Sequence, residues 1–429
     1  MLLSTPKKQT SHSVLYSKVL LIFFLFLVLF FVSSNNLYSQ TLQPNPDSIP
    51  FASAVNYSVG SDPTGLFFAD LDGDLDRDMV VCNHGSANIS VLKNKGDGTF
   101  ATKVDYEAGS SPFFVHGGDL DGDGDIDLAV TNEGSNTVSI FKNNGDGTFQ
   151  MKVDYPVGSG PISVFCADLD GDGDLDLAVA NASSNDISIL KNNGDGTFQT
   201  EVRYGAGLHP WGIICADLNG DSHLDLAVSN QYGNSVSILM NNGDGTFQPK
   251  VDYAVGSYPH WISCADLNGD SHLDLAVPNA YSNNISILIN NGDGTFQTAV
   301  NYEAGYYPTS VFCADLDRDG KKDLAVTYRH NGVSIFRNNG DGTFPPRVDY
   351  VIPSIHDPAD VYCADLDRDG DIDMAVTNEG TDNVSVLENL SCTYPEFMVG
   401  DANCDGVVDI GDVIYMINYL FKGGPPPAC

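Results

Sequence analysis

The stretch from Pro161 to Gly207 sets the pattern for most of the chain. A short apolar run, Ile162 to Ala167, leads into an acidic, glycine-bearing segment, Asp168 to Asp176. A second apolar run, Leu177 to Ala180, is followed by polar residues up to Asp186, and Ile187 to Lys191 alternates apolar with polar positions. Asn192-Asn193-Gly194-Asp195-Gly196 then offers the residues that accept positive φ in a tight hairpin, and Phe198 to Tyr204 alternates again. Short runs of period two separated by turn residues predict four antiparallel strands. The pattern returns seven times, with its acidic segment starting at Asp70, Asp119, Asp168, Asp217, Asp266, Asp315 and Asp365, a step of 49 or 50 residues. A proline stands seven residues ahead of each start (63, 112, 161, 210, 259, 308 and 358). Four short strands in a strict period describe a unit that buries its apolar faces only against its neighbours. The predicted fold is all-β, a seven-bladed β-propeller.

The ends of the array predict how the ring closes. The seventh unit reaches Val384 to Glu388 and then lacks both the Asn-Gly-Asp-Gly turn and the fourth strand. Phe51-Ala-Ser-Ala-Val-Asn-Tyr57, ahead of the first unit, matches Phe198 to Tyr204. Residues 51–57 are therefore expected to supply the outer strand of the last blade and cover its open edge.

The acidic segments place oxygen ligands at positions 1, 3, 5 and 9. They are Asp70, Asp72, Asp74 and Asp78; Asp119, Asp121, Asp123 and Asp127; Asp168, Asp170, Asp172 and Asp176; Asp217, Asn219, Asp221 and Asp225. The remaining three sets are Asp266, Asn268, Asp270 and Asp274; Asp315, Asp317, Asp319 and Asp323; Asp365, Asp367, Asp369 and Asp373. Hard carboxylate oxygens wrapped by a turn, with a backbone carbonyl expected at position 7, suit Ca²⁺. Leu75 at position 6 of the first loop and Lys321 at position 7 of the sixth mark those two as the weaker sites. Position 12 is valine in every copy, where an EF-hand has an acid and then a helix. These are β-hairpin calcium loops.

The repeated loops, over roughly Phe51 to Asn389, resemble the FG-GAP/VCBS repeat family, whose seven-bladed propellers include the integrin α-subunit head. The resemblance implies structural calcium on one face and ligands on the opposite face. The tail repeats the spacing with a different ending. Asp401, Asn403, Asp405, Asp409 and Asp412 fall at positions 1, 3, 5, 9 and 12, ahead of a helical pattern from Val413 to Phe421 that Gly423-Gly424-Pro425 ends. This resembles one half of a type I dockerin, which implies an eighth Ca²⁺ and a cohesin-like partner on another secreted protein. Positions 10 and 11, Ile410 and Gly411, depart from that family's hydroxyl residues.

Charge and ends complete the picture. Lys7, Lys8 and Lys18 precede or flank an apolar run from Val19 to Val32, with small and polar residues after it. That run is short for a bilayer span of about 20 residues and reads as a secretory signal, residues 1–39, with an uncleaved anchor as the alternative. A linker at 40–50, a propeller at 51–391 and a calcium module at 392–429 follow. The expected location is extracellular, secreted or on a bacterial surface, with no membrane span once the signal is removed. The formal charge is −37, and most of the acids lie in the loops. The acidity is a demand for cations, and nucleic acid is excluded as a partner. Cys166, Cys215, Cys264, Cys313 and Cys363 recur two residues before a loop and read as small buried packing residues; outside the repeats Cys404–Cys429 is the favoured disulfide.

Residues in register, such as Tyr57, Tyr106, Tyr155, Tyr204, Tyr253, Tyr302 and Tyr350, read as packing. Residues that break the register carry the functional signal. The connections around the seven prolines hold Phe113, His209, Trp211, Tyr258, His260, Trp261, Tyr306 and Tyr307. Aromatic rings beside polar turns suit stacking on sugar faces or anchoring a protein partner. A cell-surface glycan or protein is the expected ligand. The alternative is a polysaccharide lyase or glycosidase using His84, His209, His260, His330, His356, Asp357 or Asp360, although no nucleophile motif or paired-carboxylate signature accompanies them.

Overall fold

A computed structural model describes residues 49–329, 332–352 and 355–391. The expected signal segment, the calcium module at 392–429 with its ligands and cysteines, and His330 lie outside the described residues. Seven four-stranded antiparallel sheets follow one another around a ring. Blades 1 to 6 occupy 63–107, 112–156, 161–205, 210–254, 263–303 and 308–351. Blade 7 combines Pro358–Ala364, Asp373–Asn378 and Asn383–Leu387 with the N-terminal strand Val55–Ser58. That strand runs antiparallel to Asn383–Leu387, with Val55 opposite Val386 and Ser58 opposite Asn383, and Phe51 bridges Asn389. The predicted closure is present, through a strand shifted slightly along the chain. Ile49 is also buried, and its carbonyl accepts a 2.9 Å hydrogen bond from the Tyr350 hydroxyl.

Both faces of each sheet are buried, so the second strands are apolar at every position between their terminal Asp and Asn in several blades. In blade 3, Leu177 and Val179 face blade 2, where they pack with Leu120 and Val138. Ala178 and Ala180 face blade 4 and meet Ile213 and Val228. Large residues on one face meet small ones on the facing sheet, which lets neighbouring sheets interdigitate. The core is thus a ring of interblade layers rather than one central mass. The valine at loop position 12 is fully buried in each layer, which explains why it recurs.

Two further contacts repeat at all seven interfaces. The register tyrosines stand edge-on to a phenylalanine of the next blade, with centroids 5.3–5.5 Å apart, from Tyr57–Phe100 round to Tyr350–Phe51. The first Asn of each hairpin, or Asn389 in blade 7, donates through Nδ2 at 2.8–2.9 Å to the position-2 leucine carbonyl of the preceding blade's loop. The interfaces on both sides of the closing blade carry the same contacts as the others.

Two elements depart from expectation. The fourth strands are shorter than the pattern suggests: blade 3 ends with Val202–Gly205, and Phe198 makes only an isolated bridge to Asn192. The phenylalanine leaves the ladder because its ring is spent on the interblade contact. In blade 5 the first strand contracts to Ser263–Ala265. Its partner strand carries Pro278, which has no N–H to donate; the His260 N–H still donates to the Pro278 carbonyl at 2.9 Å, while Trp261 and Ile262 leave the ladder.

Candidate ligand pocket and metal loops

The first strand of each blade lines the central axis, so residues at equal distance before a loop form rings. Three residues before the loop stand Phe67, His116, Phe165, Ile214, Ser263, Phe312 and Tyr362. All seven line an axial cavity of about 260 Å³. Six residues before the loop stand Thr64, Phe113, Ile162, Trp211, His260, Thr309 and Ala359. This outer ring is bulky in blades 2 to 5 and small in blades 6, 7 and 1. The unequal halves leave a pocket of about 330 Å³, on the face carrying the proline connections and the turns between strands two and three. Phe113, Trp211, Tyr258, His260, Trp261 and Tyr307 supply its aromatic wall; Asp62, His84, Gln231, Arg329 and Glu379 supply the polar one.

The aromatic wall is rigidly built. Trp211 stands edge-on to Phe113 at 5.3 Å and is backed by His209, stacked at 5.7 Å. Its indole nitrogen is shut from solvent and has no hydrogen-bond partner among the described residues. Trp261, 8% exposed, lies 4.5 Å from Phe114 and borders both cavities. Tyr258 stacks on Tyr281 at 4.0 Å. Tyr258 and Tyr307 adopt φ of 63° and 54°, where glycine stands in blade 3 as Gly160. A bulky side chain in the left-handed region costs about 1–3 kcal/mol, and the same conformation recurs before the proline in the other blades, at Asp62, Ser111, Gly160, His209 and Asp357. Here the conformation is held by the previous blade, because each tyrosine N–H donates at 2.9 Å to Asn234 or Asn283.

The polar wall is electrostatically mixed. His84 bridges Asp62 at 3.1 Å and Glu133 at 3.4 Å. The Glu133 hydrogen bond is the main influence raising the His84 pKa, and the same bond lowers that of Glu133. Burial, reinforced by the nearby Asp62, pushes Glu379 up to about 7. Burial also holds His260 neutral, with its pKa pushed down to about 3. Arg329 lies over the Tyr307 ring, 4.4 Å from its centroid.

The acidic loops occupy the opposite face. The position-9 aspartate is at most 2% exposed in every loop. One of its oxygens accepts the N–H of the interblade Asn and the other the N–H of the position-2 leucine, as at Asp176 with Asn192 (2.8 Å) and Leu169 (3.2 Å). The loop and hairpin of each blade are thus tied to one carboxylate. Without a cation, burial raises these carboxyls, to about 6 for Asp176 and about 7 for Asp323 and Asp373. Five loops bring three carboxylates within 4.8 Å: Asp70, Asp72 and Asp74; Asp119, Asp121 and Asp127; Asp168, Asp170 and Asp176; Asp315, Asp317 and Asp323; Asp365, Asp367 and Asp373. Each of the five also holds a buried carboxylate oxygen without a hydrogen-bond partner, on Asp72, Asp121, Asp170, Asp315 or Asp365. Converging anionic oxygens with unused lone pairs fit a hard cation. In the fourth and fifth loops Asn219 and Asn268 donate instead to Asp221 and Asp270, both at 2.9 Å.

A family model described as FG-GAP-like repeat matches residues 70–130, 119–179, 168–228, 217–277, 266–326 and 315–376. The chain belongs to the FG-GAP-like repeat family. Each match runs from a loop's first aspartate to the position-12 valine of the next, so it spans the interblade layer just described. No curated protein matches the chain. Among solved structures, BBS1N in complex with ARL6DN aligns with a TM-score of 0.57 in both its lead- and mercury-soaked forms, at 12% and 13% identity, covering 79% of this chain and 97% of that one. An Agrocybe aegerita lectin, described as specifically recognising non-reducing terminal N-acetylglucosamine, aligns with a TM-score of 0.49 at 21% identity, covering 71% of this chain and 91% of the lectin. The likeness to BBS1N extends to the fold alone.

On this FG-GAP-like scaffold, six of the eight sequence-selected aromatic and histidine positions line the pocket. His209 sits behind Trp211, and Tyr306 is 58% exposed away from the lining. Among the histidines and acids considered for catalysis, His84 and His260 line the pocket, while His356 and Asp357 are exposed outside the lining. Asp360 is committed to structure, accepting from Ser310 Oγ at 2.7 Å and from the Leu66 and Val361 N–H groups. Tyr232, Tyr281, Arg329 and Glu379 were missed from sequence because they lie in the strand two-to-three turns rather than beside the prolines. Reading those turns in register would have found them. His116 was missed inside a strand. The recurring cysteines lie in the first strands, Cys166, Cys215 and Cys363 buried and Cys264 and Cys313 half-buried, all with free thiols, and Cys82 is fully buried.

Proposed function

We propose that this protein is an exported, calcium-stabilised propeller that binds a carbohydrate in the axial pocket opposite its metal loops. The observation that carries the reading is the pocket itself. It is walled by the aromatic residues that break the repeat, two of them tyrosines in a conformation glycine would adopt without strain. Stacked rings bind the apolar faces of sugars, while the polar wall suits their hydroxyls. Ca²⁺ in the seven loops, held by positions 1, 3, 5 and 9, would neutralise clustered carboxylates and fix the hairpins. The organisation proposed around the propeller is a signal at 1–39, a linker, and a calcium-binding module at 392–429 that attaches the protein to a surface or a cohesin-like partner. A glycan array probed with the chain and with Trp211→Ala tests the reading. Binding to a defined glycan class, lost in Trp211→Ala while the melting temperature stays within a few degrees, is expected. Binding that survives the substitution contradicts it, and release of shortened products would identify an enzyme instead.

A further inference from the structure

We infer that the occupant of the axial pocket is an acidic saccharide, whose carboxylate is taken by Arg329 while its ring lies against the aromatic wall. This rests on the carbohydrate reading and narrows it to a substrate class. The fourteen connections that make up the pocket face contain one Lys or Arg, and it is Arg329. Most other described cations bond a carboxylate; Lys93 with Asp72 at 3.0 Å and Lys191 with Asp170 at 2.9 Å are examples. Arg329 has no carboxylate within ion-pair distance among the described residues and stacks on Tyr307 instead. A guanidinium whose carbon sits 4.4 Å above a ring still has N–H donors to offer, in the fork geometry that matches a carboxylate.

The rest of the wall is compatible with an anion. Asp62 and Glu133 are both engaged by His84. Glu379 holds its proton up to about 7 and so presents a donor rather than a charge below that pH. Beneath this side Thr309, Ala359 and Thr64 are the small members of their ring, which leaves room beside Arg329. The groups acting on Glu379 are Asp62 and Asp357, which raise its pKa, and Arg329 and His84, which lower it. As pH rises past 7, Glu379 gains charge, so an anionic ligand is held less tightly.

The test is calorimetric titration of the full chain with uronic-acid oligosaccharides and with the same oligosaccharides after carboxyl reduction. An acidic member is expected to bind at least tenfold more tightly than its neutral counterpart. Arg329→Met should erase that difference without moving the melting temperature, since the side chain is exposed. Glu379→Gln should remove the loss of affinity between pH 6 and pH 8. If neutral saccharides bind as well as acidic ones and Arg329→Met changes nothing, the acidic inference is overturned while carbohydrate binding stands. If neither set binds, the carbohydrate reading falls with it.

Discussion

Tyr307 shows what a single residue contributes. In a repeat protein the residue before the proline has a geometric duty, and at φ 54° glycine would meet it best. A tyrosine there, with Arg329 over it, trades backbone comfort for a surface. Trp261 shows the converse: selected from sequence as a ligand anchor, it is 8% exposed and packs with Ile162 and Ala182, so part of its role is to floor the pocket. The ring containing His116 was not legible, because a histidine inside an apolar run looks like an ordinary strand residue until the axis is known. His116 lies 4.3 Å from Phe165, and burial among the axial rings pushes its pKa down to about 4. The unfolded chain takes up this proton near pH 6.5 and the native state does not, so stability is lost as pH falls from there towards 4. His116→Phe, which copies the neighbouring ring members, is expected to remove on the order of 1–2 kcal/mol of that loss. Melting curves at pH 7.5 and pH 5 should therefore lie closer together for the variant than for the parent.

At the scale of elements, the four-strand unit, its period and its closing strand were readable because each depends on local pattern. The interblade ties were not, because they join residues about 72 positions apart, as Asn192 joins Leu120. Asn192→Ala removes the side-chain bonds to the Leu120 and Leu175 carbonyls and from the Gly194 N–H, and leaves the buried Leu120 carbonyl unsatisfied; a loss of about 1–3 kcal/mol is expected in denaturant unfolding. Asn193→Ala removes one exposed contact to Thr197 and should cost far less. The loops differ through the residue just before the interblade Asn. In loops 1 to 3 and 6 it is a lysine or arginine paired with the position-3 aspartate. In loops 4 and 5 it is Met240 or Ile289, opposite Asn219 or Asn268, and in loop 7 it is Glu388, whose pKa is raised by burial and then by the nearby Asp367 and Asp369. Leu75 and Lys321 single out loops 1 and 6 from sequence, and Lys321 does sit on Asp319 at 2.8 Å. The geometry adds loops 4 and 5 as weaker sites, since they have fewer carboxylates and no carboxylate oxygen left without a partner. Calcium titration should resolve more than one affinity class, and Asn219→Asp should move one site to the tighter class.

For the whole molecule, ring closure and the cation binding proposed for the acidic loops would act on the same quantity, the cooperativity of seven nearly identical units. A chain beginning at residue 59 would lack the strand Val55–Ser58 and the Phe51–Tyr350 contact, leaving Asn383–Leu387 as an open edge. Lower melting temperature and concentration-dependent association are expected, read by calorimetry and light scattering. Chelation should lower the melting temperature of the intact chain sharply, because a cation that binds only the folded loops stabilises the native state by mass action. An unchanged melt after verified metal removal would contradict structural calcium. The scaffold was legible because repetition amplifies a weak pattern; the pocket was legible only in part, because it is made by differences between blades that share no sequence neighbourhood. Those differences converge once, on the axis, whereas a site built from the repeat would occur in every blade. The stoichiometry of saccharide binding to the full chain is therefore the most direct measurement. One site per chain, lost in Trp211→Ala, is the result predicted; several equivalent sites per chain, indifferent to Trp211, would contradict the account.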